Sequence, residues 1–471
     1  MIRTTTIIAC LLLGACMVGP DYQRPEIPVA EDWHTDLDKK EVAEASLADQ
    51  AWLDIFKDGQ LQNILQQSLA QNKFMLIAME RIEESRALYR VGRAPLFPTL
   101  DIAVTGERES ESGLVEADPR IAPEYFLGAA ASWELDLWGK NRRRSNAAYA
   151  RYLASEYGAQ AVKLAVIAEV SRAYFNLQGT NSRLGVNYAT LDAREQSVTI
   201  AEKRHRGGLT SSLEVKQAEV ERAATASTIP RIEQTKLATE NRLAVLMGLP
   251  PQHLEVTGAL EDQFIPAKVT AGLPSELLER RPDLMAAEQE LIAASESVGV
   301  AKARLFPSIS LTGAAGYQTE EFGDLLDSDG KYWILNVDLV MPLFNAGARR
   351  AQLTAAESRF NQTRLAYEQI VLDALRETSD ALNNFYKSGE ALEAALDLER
   401  ASSEYLVLAT KRYRNGVLNY LDVLDAQRLL FEAQISASLA REDQLLALVD
   451  LYKALGGGWE PENFVPVEER D

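Results

Sequence analysis

"RYRNGVLNYLDVLDAQ", residues 412–427, interrupts two long stretches of helical pattern, and a related stretch, "RHRGGLTSSLEVKQAE", occupies residues 204–219. A shift of 208 positions aligns them, setting Arg204 against Arg412, Gly208 against Gly416, Leu213 against Leu421, Glu214 against Asp422 and Val215 against Val423. In both, a run of cations precedes glycine. Cations favour the negative end of a helix dipole, and glycine accepts the left-handed cap that stops a helix. Ser211, Ser212 or Asn419 then offers a cap for a returning helix. Each stretch therefore predicts a helix, a tight turn and a second helix.

Working outward, the similarity extends nearly end to end. "APLFPTLDIAVTG" from Ala94 pairs with "ARLFPSISLTGAA" from Ala303, "LDLWGKNRRR" from Leu135 pairs with "MPLFNAGARR" from Met341, and helical patterns stop at Gly248 and Gly456. Self-similarity at a fixed shift marks a duplicated unit. Each half reads as helix, strand, strand, long helix, turn, helix. The first repeat covers residues 61–250, with strands near 99–108 and 124–137; the second covers 283–456, with strands near 308–318 and 333–343. Residues 16–60, the linker 251–282 and the tail 457–471 are rich in proline, glycine and acids, and read as an equatorial belt around the helices.

The strand segments alternate with a period of two. In "YFLGAAASWELDL", Tyr125, Leu127, Ala129, Ala131, Trp133, Leu135 and Leu137 share one face, opposite Ser132, Glu134 and Asp136. "WILNVDLVMPL" repeats the pattern, with Trp333, Leu335, Val337, Leu339, Met341 and Leu343 opposite Asn336 and Asp338. Each has about the length a tilted strand needs to cross a bilayer. A membrane barrel needs at least about eight strands, and open edges cannot face lipid, so four strands per chain demand oligomerisation; a trimer would supply about twelve. Tyr125, Trp133, Tyr317 and Trp333 are placed to form interfacial girdles.

Between strand and turn, the stretches from Gly139 to Arg206 and from Gly347 to Arg414 contain no proline. At about 1.5 Å per residue each would extend roughly 100 Å, longer than a single globular core. Leu153, Tyr157, Leu164, Ile167 and Tyr174 form one apolar stripe and Val162, Val166, Val170, Ala173 and Leu177 another. Two stripes imply neighbours on both sides, as in the wall of a helical tube; a lumenless antiparallel bundle is the alternative.

The N-terminus, "MIRTTTIIACLLLGAC", reads as a secretory signal over residues 1–15, and "LGAC" matches the lipobox in which Cys16 becomes the acylated first residue. Met17 follows, so the aspartate of the usual inner-membrane retention signal is missing. With Cys10 in the signal and Cys16 consumed by lipid, no disulfide is expected. The charge of -20 disfavours nucleic acid and anionic lipid surfaces as partners. His34, His205 and His253 are far apart without metal-ligand spacing, and no nucleophile elbow, phosphate loop or dinucleotide fingerprint appears, so an enzyme is not expected.

The lipobox, the "GPDYQRP" after Met17 and Val18, the duplicated "LFP" and "GL/GV" motifs and the plan of four strands with long helices resemble the TolC-like outer membrane efflux proteins. The nearest branch is the lipid-anchored channel subunits of resistance-nodulation-division pumps. The resemblance implies an α+β membrane protein: a homotrimer whose twelve-stranded β-barrel in outer membrane lipid continues as a periplasmic α-helical barrel, lipid-anchored at Cys16 (palmitate among its acyl chains) and without other cofactor. It implies a passive exit duct with two partners, a periplasmic adaptor of the membrane fusion type and an inner-membrane resistance-nodulation-division pump. By the same resemblance, Arg204, Gly207, Gly208, Leu209, Arg412, Asn415, Gly416 and Val417 form the adaptor-docking tips. Leu421, Asp422, Asp425 and Arg428 form the periplasmic gate, with Arg428 tying neighbouring helices. Leu213, Glu214, Gln217 and Val220 stand in the corresponding places of the first half, which points to a gate built by the second turn alone. The competing readings are the duct of a type I protein secretion system and a non-conducting periplasmic spacer lipoprotein.

Overall fold

A computed structural model describes residues 17–29, 33–34, 51–110, 121–266, 269 and 274–457. The signal segment and Cys16 lie outside the described residues, as do most of the tail and part of the belt. The principal helices are α1 (Gly59–Gln71), α2 (Lys73–Arg93), α3 (Lys140–Arg206), α4 (Ser212–Leu246), α5 (Pro282–Ala303), α6 (Ala348–Arg414) and α7 (Tyr420–Ala454). The strands are β1 (Thr99–Ser110), β2 (Ile121–Leu135), β3 (Ser308–Thr319) and β4 (Lys331–Val340). No helix among the described residues is long and apolar enough to cross a membrane. Two units emerge. The first comprises the chain up to Ile27, Arg81–Glu156 and Ala286–Gln369; the second comprises Pro28–Glu80, Tyr157–Met285 and Ile370–Asp471.

The first unit holds one antiparallel sheet in the order β1-β2-β3-β4. Its register places Ile102, Ala129, Ala315 and Trp333 in one row across the sheet, and Leu100, Ala131, Gly313 and Leu335 in another. Residues directly opposite share a face, so these rows define an apolar side. The intervening rows, such as Asp101, Ala130, Ala314 and Ile334 or Thr99, Ser132, Thr312 and Asn336, define a mostly polar or small-residue side. Ile102 is 85% exposed and Trp333 76%. Among the described residues β1 and β4 each have one strand neighbour.

β2 and β4 end earlier than their alternation predicts, at Leu135 and Val340. The reasons are local. Asp136 turns to cap α3, its carboxylate accepting the amides of Asn141 at 2.9 Å and Arg142 at 2.8 Å, while Pro342 brings no amide hydrogen to a ladder beyond Met341. Leu137, Met341 and Leu343 thus fall outside the strands.

Residues 17–27 run along this unit as a strap. The Val18 amide donates to the Trp138 carbonyl at 3.1 Å. Further on, the buried Arg143 guanidinium pairs with Asp21 and Glu296, each at 3.1 Å. Arg24 forks onto Glu288 with both contacts at 2.7 Å, and the Tyr22 hydroxyl donates to the same carboxylate at 3.0 Å. Burial pushes the Tyr22 phenol and the Glu296 carboxyl above their ordinary ranges.

The second unit has the larger core. Leu61 and Leu65 of α1 meet Val166, Ile167, Val170, Tyr174 and Leu177 of α3, Leu243 of α4, Phe385 of α6 and Leu448 and Leu451 of α7. Members of both α3 stripes enter this one core. Each such side chain contributes about 1.5–3 kcal/mol of transfer free energy. Asp58 caps α1 by accepting the amides of Gln60 and Leu61. Burial raises its carboxyl pKa, but hydrogen bonds from Tyr174, Gln263 and those amides outweigh burial and hold it below the usual range. Two arginines link helices here: the half-buried Arg183 pairs with Glu442, and the buried Arg194 donates to the Thr225 hydroxyl and the Glu221 carbonyl. Pro230 sits inside α4.

Candidate functional site

The two turns are superposable in their hydrogen bonds. In the first, Gly208 N–H reaches the His205 carbonyl and Leu209 N–H the Arg204 carbonyl, both at 2.9 Å. In the second, Gly416 N–H reaches the Tyr413 carbonyl and Val417 N–H the Arg412 carbonyl, again both at 2.9 Å. These paired bonds are the Schellman arrangement. Gly208 has φ +72° and Gly416 +71°, and a Cβ at either would meet open space. Glycine is required there by backbone angle, not by crowding.

The returning helices start differently. Ser211 at the head of α4 makes no side-chain cap, whereas Asn419 and Asp422 form a capping box on α7, with the Asn419 amide donating to Asp422 Oδ2 at 3.1 Å. Gly207, Gly208, Leu209, Arg412, Asn415, Gly416 and Val417 are exposed. Arg204 is half-buried, its guanidinium lying 5.0 Å from the centre of the Tyr413 ring, so it joins the two turns rather than facing solvent freely. Tyr413 in turn meets Tyr420 at 5.5 Å, above a small core of Ala201, Val215, Ala218, Val423 and Leu424. Burial pushes both phenols up.

Beside this core runs a groove of about 590 Å³ between α4 and α7. Leu421, Asp422, Asp425 and Arg428 all line it, so the expected gate residues do come together. So do Leu213, Gln217 and Val220, which shows that the groove is built by both halves, with apolar and charged side chains on each wall. Glu214 takes no part and lies behind. Within the single chain Arg428 pairs with Asp425 of its own helix at 2.7 Å, because three-residue spacing puts the two on one face. Lys216, Glu221 and Leu424 complete the lining and were missed from the sequence. Helical spacing from Leu213 held the signal for Lys216, one turn further on. The Asp425–Arg428 pair is half-exposed and solvent-screened, so each copy contributes only about 0–1 kcal/mol. Among the described residues no group of three or more His, Cys, Asp or Glu side chains is placed to hold a metal.

The family model described as "Outer membrane efflux protein" matches residues 64–249 and 273–457, the two repeats. Outer membrane protein OprJ of Pseudomonas aeruginosa is 36% identical over 97% of this chain and 96% of its own length. Cation efflux system protein CusC of Escherichia coli is 31% identical over 96% of this chain and 97% of its own. Among solved structures, the outer-membrane channel OprN superposes with a TM-score of 0.88 at 30% identity, covering 95% of this chain and all of OprN.

Proposed function

Because the chain belongs to the outer membrane efflux protein family, and so is the outer membrane channel of a tripartite efflux pump, we propose that three copies close one barrel and that the paired turns form its gated, adaptor-facing end. The observation that carries this reading is the sheet. It has an apolar face, a mostly polar or small-residue face, and two strands, β1 and β4, each with an edge unpartnered among the described residues. Unpaired backbone groups cost several kcal/mol each in hydrocarbon, so each β1 edge meets the β4 edge of the next copy. The apolar rows then face lipid and the other rows line the conduit. Tyr125 and Tyr317 beside the end of β3, with Trp333 near the start of β4, and Trp133 toward the opposite end of the sheet supply the aromatics of the two girdles.

The pump in the inner membrane supplies the energy, and the adaptor joins it to the turns. The exposed turn residues receive adaptor helices, while Leu421, Asp422, Asp425 and Arg428 narrow the conduit against Leu213 and Val220. Cys16 carries the lipid. Support comes from Met17, which packs against Gly139 where β2 passes into α3, so a lipid on the preceding residue needs no spacer to reach the membrane surface. Mass measurement of the mature N-terminus checks the acylation; a free thiol or cleavage elsewhere refutes it. Native mass measurement in detergent and single-channel recording in planar bilayers test the main reading. A stable monomer with full strand content, or an assembly that conducts no ions, overturns it.

A further inference from the structure

Three arginines of the first unit line one groove of about 480 Å³: Arg151 from α3, Arg304 just past α5 and Arg359 from α6. Ser297 and Thr363 add hydroxyls, Ala294, Ala301 and Ala356 supply small apolar walls, and Glu290 is the one carboxylate in its lining. Among the described residues none of the three arginines has an ion pair, and Arg151 reaches only Ser297 Oγ, at 3.5 Å. Arg142, Arg143, Arg183 and Arg281 all hold carboxylates. In a chain with 69 acidic and 49 basic residues, three unneutralised arginines around one hollow need a reason.

A second observation points the same way. The first turn of α6 holds no acid and carries Arg349 and Arg350, the reverse of what a helix dipole favours. Arg349 donates to the Arg304 carbonyl, joining that basic turn to the groove. Arg304 itself lies between Ala303, the last residue of α5, and Ser308, the first of β3.

We propose that this groove binds the phosphodiester headgroup of an anionic phospholipid from the leaflet nearest the helices. Guanidinium forks match phosphate oxygens in geometry and charge, and the alanine walls accommodate the glycerol carbons. The groove's excess of two positive charges over Glu290 exceeds the single charge of a phosphodiester. The site rests on the reading that β1–β4 cross the bilayer: Arg304 then stands at the strand end, while Arg151 and Arg359 lie eleven residues into their helices, whose Cα–Cβ bonds tilt back toward that end. It is a local exception to a surface whose overall charge repels anions.

The test uses full-length protein in neutral detergent, titrated with short-chain phosphatidylglycerol, the matching diacylglycerol or inorganic phosphate, with adducts counted by native mass spectrometry. Phosphatidylglycerol adducts are expected on the wild type, weakened about tenfold or more in R151Q/R304Q/R359Q and about threefold stronger in E290Q. R151K/R304K/R359K should fall between the glutamine variant and the wild type. The E290Q arm adds no cavity and tests the site even if the triple variant folds poorly. Equal binding by the triple variant and the wild type, or no gain in E290Q, overturns the proposal. So does inorganic phosphate binding as well as the lipid, which would make this a site for free anions. Single-channel recording of wild type and triple variant keeps the readings apart: a wild type that does not conduct defeats the channel, whereas conduction by both with unchanged lipid binding defeats only the headgroup site.

Discussion

The helix pair α3–α4 and the pair α6–α7 have identical lengths, 67 and 35 residues in each case, and nearly identical turns, yet their interiors differ. Arg194 and Thr225, hydrogen-bonded and buried in the first pair, correspond to Ser402 and Ala433 in the second, which are also buried but small. The Arg183–Glu442 pair that joins α3 to α7 has Ala391 and Gln234 at its repeat positions. Pro230 in α4 corresponds to Ser438 in α7. What the copies share is set by the backbone: where a helix stops and which residue adopts positive φ. What they do not share is set by neighbours, which differ for the two pairs. Duplication copies the first kind of information and frees the second to diverge.

The strongest way to break this comparison is at the part-buried Arg183–Glu442 pair. Arg183→Ala strands Glu442 in the second unit and should cost about 3 kcal/mol, whereas Gln234→Ala at the equivalent of Glu442 should change stability by about 0.5 kcal/mol or less. Circular dichroism melts in detergent read both; similar shifts would mean the pair is not what distinguishes the copies. Next come the turns, where the copies should behave alike. Gly208→Ala and Gly416→Ala each force a side chain into left-handed backbone and should each cost about 1–2 kcal/mol, within error of one another in the same melts.

The groove sharpens the contrast at smaller energy. Asp422→Asn with Asp425→Asn keeps the hydrogen-bonding side chain at the α7 cap and removes charge, and three copies should shift the balance toward open by about 1 kcal/mol, roughly fivefold in population. Single-channel conductance should rise and cation selectivity fall. Glu214→Gln, outside the groove, should change neither, and matching responses would assign the gate to both turns equally. The smallest effect concerns pH. Burial raises the Glu442 carboxyl pKa, with Arg183 opposing. A raised carboxyl pKa means the folded form holds its proton more tightly, so this contribution is full below the ordinary glutamate range and fades as pH rises through the raised value. Glu442→Gln should remove that slope from stability measured between acid and neutral pH; an unchanged slope assigns it elsewhere.

Much of this was legible because helix stops, strand alternation and duplication are local patterns. Residues 139 and 347 mark the starts of the long helices to within one position, and Gly208 and Gly416 identify the turns. The candidate site was legible by half. Leu421, Asp422, Asp425 and Arg428 sit at helical spacing on one element, so sequence brings them together. The opposite wall depends on how α4 packs across the small core of Val215, Ala218 and Val423, which no spacing within α7 encodes. For the same reason Arg204 looks like a free cation in sequence, although it is stacked on Tyr413, more than two hundred positions away. Strand ends were misplaced where a side chain such as Asp136 left the alternation to cap a helix.

The likeness of the turns bears on stoichiometry. In a symmetric assembly of this chain, the same main-chain profile recurs twice per subunit, whereas the side chains presented alternate between Leu209 with a stacked Arg204 and Val417 with an exposed Arg412. An adaptor that grips only the shape of a capped helix end finds twice as many equivalent seats as there are channel subunits. One that discriminates Arg412 from Arg204 finds only half of them. On the proposed docking, the ratio of adaptor to channel turns on whether the contact reads main chain or side chain, a choice that exists only because one gene carries both copies of the turn.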